Sequence, residues 1–195
     1  MSAVNQSNPA PASRAADQGS ETGTVPVAVI GAGGFTGHEL LSLMRSHPRL
    51  RPVHITSNAY DGRRLSDVFP DLDGAFSDSL HPGFDSSSAS KTPEDLVFCR
   101  HDAPLPAGAP VFLAVPNETS LEIVPALLEA GHPVVDLSGS FRLHDNSAFE
   151  NRYKLKHTPA SAVAMGKAVF GLPEILRDAI RGTQFVSNPG CFPTG

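Results

Sequence analysis

The stretch Val25-Pro26-Val27-Ala28-Val29-Ile30-Gly31-Ala32-Gly33-Gly34-Phe35-Thr36-Gly37 constrains the fold more than any other in this chain. A short apolar run rich in β-branched residues ends in glycines, and helical periodicity starts directly after them. Leu40, Leu41, Leu43 and Met44 recur at helical spacing from Phe35 to Ser46, until Pro48 stops the pattern. A strand with no polar alternation is buried on both faces, as a parallel strand covered by helices is. Pro26 is tolerable there only near the strand's beginning. Glycines at 31, 34 and 37 let the backbone turn tightly, approach a diphosphate closely and pack the helix onto the strand. Free N–H groups at the helix start would meet the phosphate charge. The bland alternative is a glycine-rich turn without a ligand. The strand before the loop and the helix after it favour dinucleotide binding.

Further strands are predicted at Arg51–Thr56, Leu96–Cys99, Pro110–Val115, Pro133–Leu137 and Gln184–Ser187, with a helix at Leu121–Ala130 stopped by Gly131. Ser57 to about Asp95 reads as loop, with the Ser-rich piece DSSSAS as a surface excursion. Strands alternating with helices predict an α/β fold: a Rossmann-like, doubly wound, mostly parallel sheet with helices on both faces. Residues 1–24 hold one Val and no aromatic residue, so they are expected to form a disordered tail. They carry neither a secretory h-region nor the composition of a transit peptide. Residues 25–195 then form one nucleotide-binding domain.

A net charge of −5 gives no electrostatic reason to expect nucleic acid or an anionic membrane as partner. No stretch approaches a membrane span. Two cysteines, Cys99 and Cys191, far apart and in unlike surroundings, fit a reducing cytoplasm better than a stapled secreted fold. The eight histidines lack ligand-like spacing, so no metal is expected.

The second strand ends in Thr56-Ser57-Asn58, with Arg63 and Arg64 nearby, where an NAD site usually places an acid. Hydroxyls and cations suit a 2′-phosphate, which favours NADP; the alternative is that the arginine pair is a solvated patch. At the far end, Cys191 follows strand-like residues and the turn Asn188-Pro189-Gly190. A cysteine at a helix start is favoured as thiolate, and the same N–H donors can hold an oxyanion. Cys99, inside the apolar run LVFC, reads as a packing residue. A dinucleotide loop together with a turn-borne thiol suggests hydride transfer to or from a thioester.

From Val27 to Gly195 the chain resembles the N-terminal part of the N-acetyl-γ-glutamyl-phosphate reductase family, relatives of aspartate-semialdehyde dehydrogenase. The blocks that carry the resemblance are GAGGFTGHELL, SNAYDGRRLSDVFP, VFLAVPNETS, VVDLSGSFRL, VFGLPE and NPGCFPTG, in that order. The sister dehydrogenase is expected to show Asn-Cys-Ser/Thr around its cysteine instead. An aminoadipyl-phosphate reductase shares much of the pattern, and a non-catalytic NADP-binding remnant is a further alternative.

The resemblance implies an acyl-phosphate reductase of arginine biosynthesis. Cys191 would attack the γ-acyl phosphate and expel phosphate, and NADPH would reduce the resulting thioester to the semialdehyde. It matches Gly31, Gly33, Gly34, Phe35, Thr36 and Gly37 to the cofactor loop, and Ser57 to the adenosine-phosphate region. Pro116 and Asn117 match the segment closing over the cofactor, and Ser138 and Arg142 the DLSxxFR block beside the active site. Arg142 would orient a carboxylate or phosphate, or pin the loop by a salt bridge. Two departures stand out: Gly33 replaces a common Ser, and Asn58 a common Arg, which moves 2′-phosphate recognition to Arg63 or Arg64. The resemblance further implies a C-terminal substrate and dimerisation domain, homo-oligomeric, which carries the general-base histidine. No position here matches that histidine, neither His144 nor His157, so the chain is expected to be a fragment that binds NADP weakly and does not complete efficient turnover.

Overall fold

The computed structural model describes residues 23–76 and 96–194. The expected tail, apart from Gly23 and Thr24, and the Ser-rich piece lie outside the described residues. Seven strands, β1 (Val25–Ile30), β2 (Leu50–Thr56), β3 (Phe98–Cys99), β4 (Val111–Leu113), β5 (Val134–Asp136), β6 (Val169–Phe170) and β7 (Phe185–Ser187), form one sheet in the order β3-β2-β1-β4-β5-β7-β6. Every strand pair in it is parallel.

Parallel strands need crossovers, and helices supply them. These are α1 (Phe35–Arg45), α2 (Leu65–Val68), α3 (Asn117–Glu129), α4 (Asn146–Tyr153), α5 (Pro159–Met165), α6 (Pro173–Arg181) and the terminal turn α7 (Cys191–Thr194). The alternation of β1 shows why both faces are covered. Val27 and Val29 enter a core with Leu41 and Met44 of α1, Ile55 and Phe98. Ala28 and Ile30 enter the opposite core, with Val111, Leu121, Val124, Phe141, Phe149 and Phe185. From Val27 to Ile30 β1 is therefore apolar because those residues have no solvent face. Pro26 stands second in β1 and is exposed, and the β1–β2 register slips between Val27 and Ala28, opposite Pro52 and His54.

The sequence-predicted strands all exist, mostly trimmed at the ends. Pro110–Val115 loses three residues and Leu96–Cys99 two, with Val97 leaving the parallel ladder for an antiparallel bridge to Arg64. The helix expected from Leu121 starts one turn earlier, at Asn117. The stretch expected to be loop after Ser57 contains α2 and a 3₁₀ turn at Pro70–Leu72. Residues 139–183, left without assignment by the sequence patterns, hold α4, α5, β6 and α6.

Register aligns the strand ends. Thr56 pairs with Ile30, Ile30 with Leu113, Leu113 with Asp136, Asp136 with Ser187, and Ser187 with Phe170. With Cys99 of β3 paired to Thr56, one transverse row thus marks the C-terminal ends of all seven strands. The order reverses between β1 and β4, and ligands of open α/β sheets bind in the crevice outside such ends.

Candidate active site

Gly31 leaves β1 at φ +86°, and a Cβ there would meet the Ala114 backbone. A side chain is excluded both by that conformation and by the neighbouring strand end. The N–H groups of Gly31 and Ala32 donate to the Thr56 carbonyl at 3.2 and 2.9 Å. A Cβ on Gly37 would come within 2.5 Å of Ala32 Cα and the Gly31 carbonyl, so α1 packs directly on the loop. Gly33 lies against Ser57 and the Tyr60 ring. Its missing side chain is therefore explained by packing within the protein. Gly34 differs: a Cβ there would find only the Gly31 carbonyl, at 3.7 Å.

Gly34 is also the N-cap of α1, with no side-chain capping bond and no acid in the first turn. An uncapped helix start beside an open glycine fits an anionic diphosphate. Gly31, Gly33, Gly34, Phe35, Thr36 and Gly37 together make the turn out of β1 and the first turn of α1. Phe35 and Thr36 are exposed.

Beside the loop, Ser57 is buried and its N–H donates to the Cys99 carbonyl at 2.8 Å. The Arg63 guanidinium lies 5.6 Å from the centre of the Tyr60 ring, and one of its nitrogens donates to the Asp67 carbonyl at 3.1 Å. The Arg64 backbone forms an antiparallel bridge with Val97, and its side chain is exposed. The Asn58 side-chain oxygen accepts the His101 N–H at 3.1 Å, while His101 Nδ1 stands 2.6 Å from the Thr56 hydroxyl. Burial holds the His101 pKa below its ordinary value, helped by the charge of Arg100.

The thiol side is built from the ends of β4, β5 and β7. Cys191 opens α7, exposed, four residues beyond the Ser187 row position. Arg142 pins the segment before it: Nε donates to the Asn188 carbonyl at 2.7 Å and one Nη to the Leu137 carbonyl at 2.8 Å. Arg142 therefore ties the ends of β5 and β7 through main-chain carbonyls. Of the two roles expected for it, the pinning one is visible, made by hydrogen bonds in place of a salt bridge.

Pro116 caps α3, and Asn117 at its first position accepts the Gly139 N–H at 2.7 Å. Ser140 donates its hydroxyl to the Asn117 carbonyl. Ser138 is buried, with its hydroxyl given to Asp136 at 2.7 Å and its N–H to the other carboxylate oxygen at 3.0 Å. Burial raises the Asp136 pKa, opposed by these hydrogen bonds and by the charge of Arg142.

One cleft of about 920 Å³ joins the two sides, with Thr36, Arg142, Asn188 and Cys191 in its wall. Thr36, Arg142 and Cys191, predicted from separate parts of the sequence, come together here. The other loop residues, Gly31, Gly33, Gly34, Phe35 and Gly37, do not line it, nor do Ser57, Arg63, Pro116, Asn117 and Ser138: Ser57 and Arg63 follow β2, and the last three support the wall. Sequence reading missed Arg152 and Tyr153 of α4 and Phe170 of β6, which also line the cleft. A capping signal was present in Asp145, whose carboxylate accepts from Ser147 and Ala148 at the start of α4. Among the described residues, no histidine lines the cleft. His157 lies between Phe141 and Phe149 as packing, and His144 is exposed elsewhere. Cys99, expected to be packed away, is half-exposed at the sheet edge because β3 is the edge strand.

A doubly wound parallel sheet with an uncapped glycine crossover and a thiol opening into the same crevice defines a Rossmann-like dinucleotide-binding domain of thiol-bearing type. Residues 26–183 match the family described as semialdehyde dehydrogenase, NAD binding domain, and the chain belongs to that family of oxidoreductases. It is 44% identical over 168 residues to the N-acetyl-gamma-glutamyl-phosphate reductase of Leptospira borgpetersenii serovar Hardjo-bovis (strain JB197), covering 86% of this chain and 44% of that protein. The protein of the same name from Methanosphaera stadtmanae is 40% identical over 171 residues, 88% of this chain and 43% of its own length. The chain thus spans less than half the length of these relatives. Aspartate semialdehyde dehydrogenase II complexed with ASA from Vibrio cholerae superposes with a TM-score of 0.53 at 17% identity, covering 87% of this chain and 42% of that chain. At that identity the shared property is the fold. Among the described residues, no helix is long and apolar enough to cross a membrane.

Proposed function

We propose that this chain carries the cofactor loop and the nucleophile of an NADPH-dependent N-acetyl-γ-glutamyl-phosphate reductase. The observation that carries the reading is the single cleft shared by Thr36 at the start of α1 and Cys191 at the start of α7. The family match ends at residue 183, so the role of the thiol rests on this geometry and on the NPGCFPTG block. Relatives at 36–44% identity, all named for this reductase, support the choice of substrate over the aspartate and aminoadipyl alternatives.

In the proposed reaction the Cys191 thiolate attacks the γ-carbonyl carbon. The S–C bond forms, the bond from carbon to the phosphate oxygen breaks, and phosphate leaves with that bonding pair. Arg142 keeps the Asn188–Cys191 segment against the end of β5. The uncapped N–H groups of α1 would hold the diphosphate, and Ser57 with Arg63 would take the adenosine end and its 2′-phosphate. The chemistry that a bound NADPH adds is hydride donation to the acyl carbonyl. The whole protein is expected to act as a homo-oligomer in the cytoplasm, with the acyl phosphate and phosphate as its small-molecule partners.

The test is acylation of the thiol. With N-acetyl-γ-glutamyl phosphate and no dinucleotide, Cys191 is expected to gain a hydroxylamine-labile acyl adduct that Cys191→Ser abolishes. Iodoacetamide should label Cys191 much faster than Cys99. Equal sluggishness of both thiols and no adduct would support the non-catalytic remnant and sink the reductase.

A further inference from the structure

The cleft holds more positive charge than the thioester chemistry uses. Among the described residues, its wall contains two charged side chains, Arg142 and Arg152, and no Asp or Glu. Arg142 has given hydrogen bonds to two carbonyls. Arg152, in the last turn of α4, makes no hydrogen bond or ion pair with any described residue. Some other exposed cations have acidic partners: Arg100 lies 3.2 Å from Asp102, and Lys156 lies 3.8 Å from Glu150 of α4.

The backbone that carries Arg152 is well fixed. Asp145 caps the start of α4, Lys154 ends it in the left-handed conformation at φ 58°, and Phe149 is fully buried. The neighbouring Tyr153 ring sits where a Cβ on Gly139 would be, against the loop that Asn117 holds. A guanidinium on such a base presents a planar fork of donors suited to a carboxylate.

We propose that Arg152 anchors the carboxylate of the substrate remote from the acyl phosphate. This inference rests on the reductase reading, whose substrate has two anionic ends: the phosphate expelled beside Cys191 and the α-carboxylate. With Arg142 engaged by the protein, Arg152 is the cation that the described cleft wall leaves for the second end. It is a specificity-determining residue that selects an acyl phosphate bearing the remote carboxylate over one lacking it.

The experiment compares iodoacetate with iodoacetamide at Cys191 in the whole chain at low salt, with labelling resolved by peptide mass spectrometry. Both reagents meet the same thiolate, so their rate ratio cancels any change in ionisation and reports attraction of a carboxylate. Arg152→Gln should lower the iodoacetate-to-iodoacetamide ratio about threefold, in line with one exposed charge pair at low screening. Arg152→Lys should keep most of it. Arg152→Glu should fall below the ratio of an unstructured thiol, which a merely misfolded variant cannot do. N-acetyl-L-glutamate should slow labelling of the unmodified chain and of Arg152→Lys, but not of Arg152→Gln, and its α-carboxamide counterpart should protect none of them. A fast Cys191 with one ratio across all variants, or equal protection by the acid and its α-amide, overturns the anchor alone. A Cys191 as slow as Cys99 throughout overturns the thiol chemistry and the anchor with it.

Discussion

The glycine-loop rim of the cleft is locked by close packing, whereas the thiol rim is tied by a few polar bonds and left open. On the loop side Gly31, Gly33 and Gly37 each sit where a Cβ would strike a neighbour, and the Thr56 carbonyl takes two loop N–H groups. On the thiol side two Arg142 donors and the Asn188 N–H to the Asp136 carbonyl do most of the holding, and Cys191 and Phe192 stand exposed. The difference follows chemistry. A diphosphate is recognised by fixed backbone donors, which any shift would misplace. A nucleophile has to be reached, so its side chain cannot be enclosed by the same packing.

The sharpest way to break the locked rim is Gly31→Ala. The change forces a side chain onto a left-handed residue and into the Ala114 backbone, so unfolding free energy should drop by about 3 kcal/mol. Denaturant titration reads this, and a loss below about 0.5 kcal/mol would mean that the loop is not locked as described. On the open rim, Arg142→Met removes two charge-assisted bonds and leaves the Asn188 and Leu137 carbonyls without them. The expected cost is about 2 kcal/mol, with a change in Cys191 labelling that the loop-side variant does not share. Unchanged stability and labelling would show that the Cys191 segment is held by something else.

The two rims should also answer acid in opposite directions. The pKa of His101, against Thr56, is depressed by burial, so its contribution is present above pH 6.5 and lost as pH falls through the folded value. The pKa of Asp136, under Arg142, is raised by burial, so its contribution grows as pH falls from neutral towards its ordinary 3.8. Relative to His101→Gln, the unmodified protein should lose stability below pH 6.5; relative to Asp136→Asn, it should gain over the same interval. Curves with the same sign would remove the contrast.

The loop rim was the more legible in sequence, for the same physical reason that it is the more rigid. Its rules are backbone rules, and glycine after an apolar strand announces them without knowledge of distant partners. β1 was readable to the residue because it is apolar on both faces. The thiol rim depends on side chains far apart in sequence, and so only Cys191 and Arg142 could be named, without the carbonyls that Arg142 binds. Arg152 gave no signal, because α4 has a weak apolar pattern around one buried residue, Phe149. β6 has two residues, too short for any periodicity. Gly33 was readable as a loop glycine, but its contact with Tyr60 across the β2 turn was not.

Gly34 isolates the one part of the loop rim that the protein does not itself fill. Its backbone, φ −89° and ψ 170°, is open to any residue, and an added Cβ would touch nothing closer than 3.7 Å. For Gly34→Ala two small effects oppose: alanine stiffens the unfolded chain, which favours folding, but it is a poorer N-cap than glycine. The net change in stability should stay within about 0.5 kcal/mol, the smallest among these variants. Dinucleotide affinity should nonetheless fall at least about tenfold, or about 1.4 kcal/mol, because the new methyl occupies the approach to the uncapped N–H groups. NADPH titration beside denaturant unfolding separates the two readouts. Unaltered affinity would place the diphosphate elsewhere, and a large loss of stability would mean that Gly34 is packed like Gly31, leaving no glycine whose only explanation is a ligand.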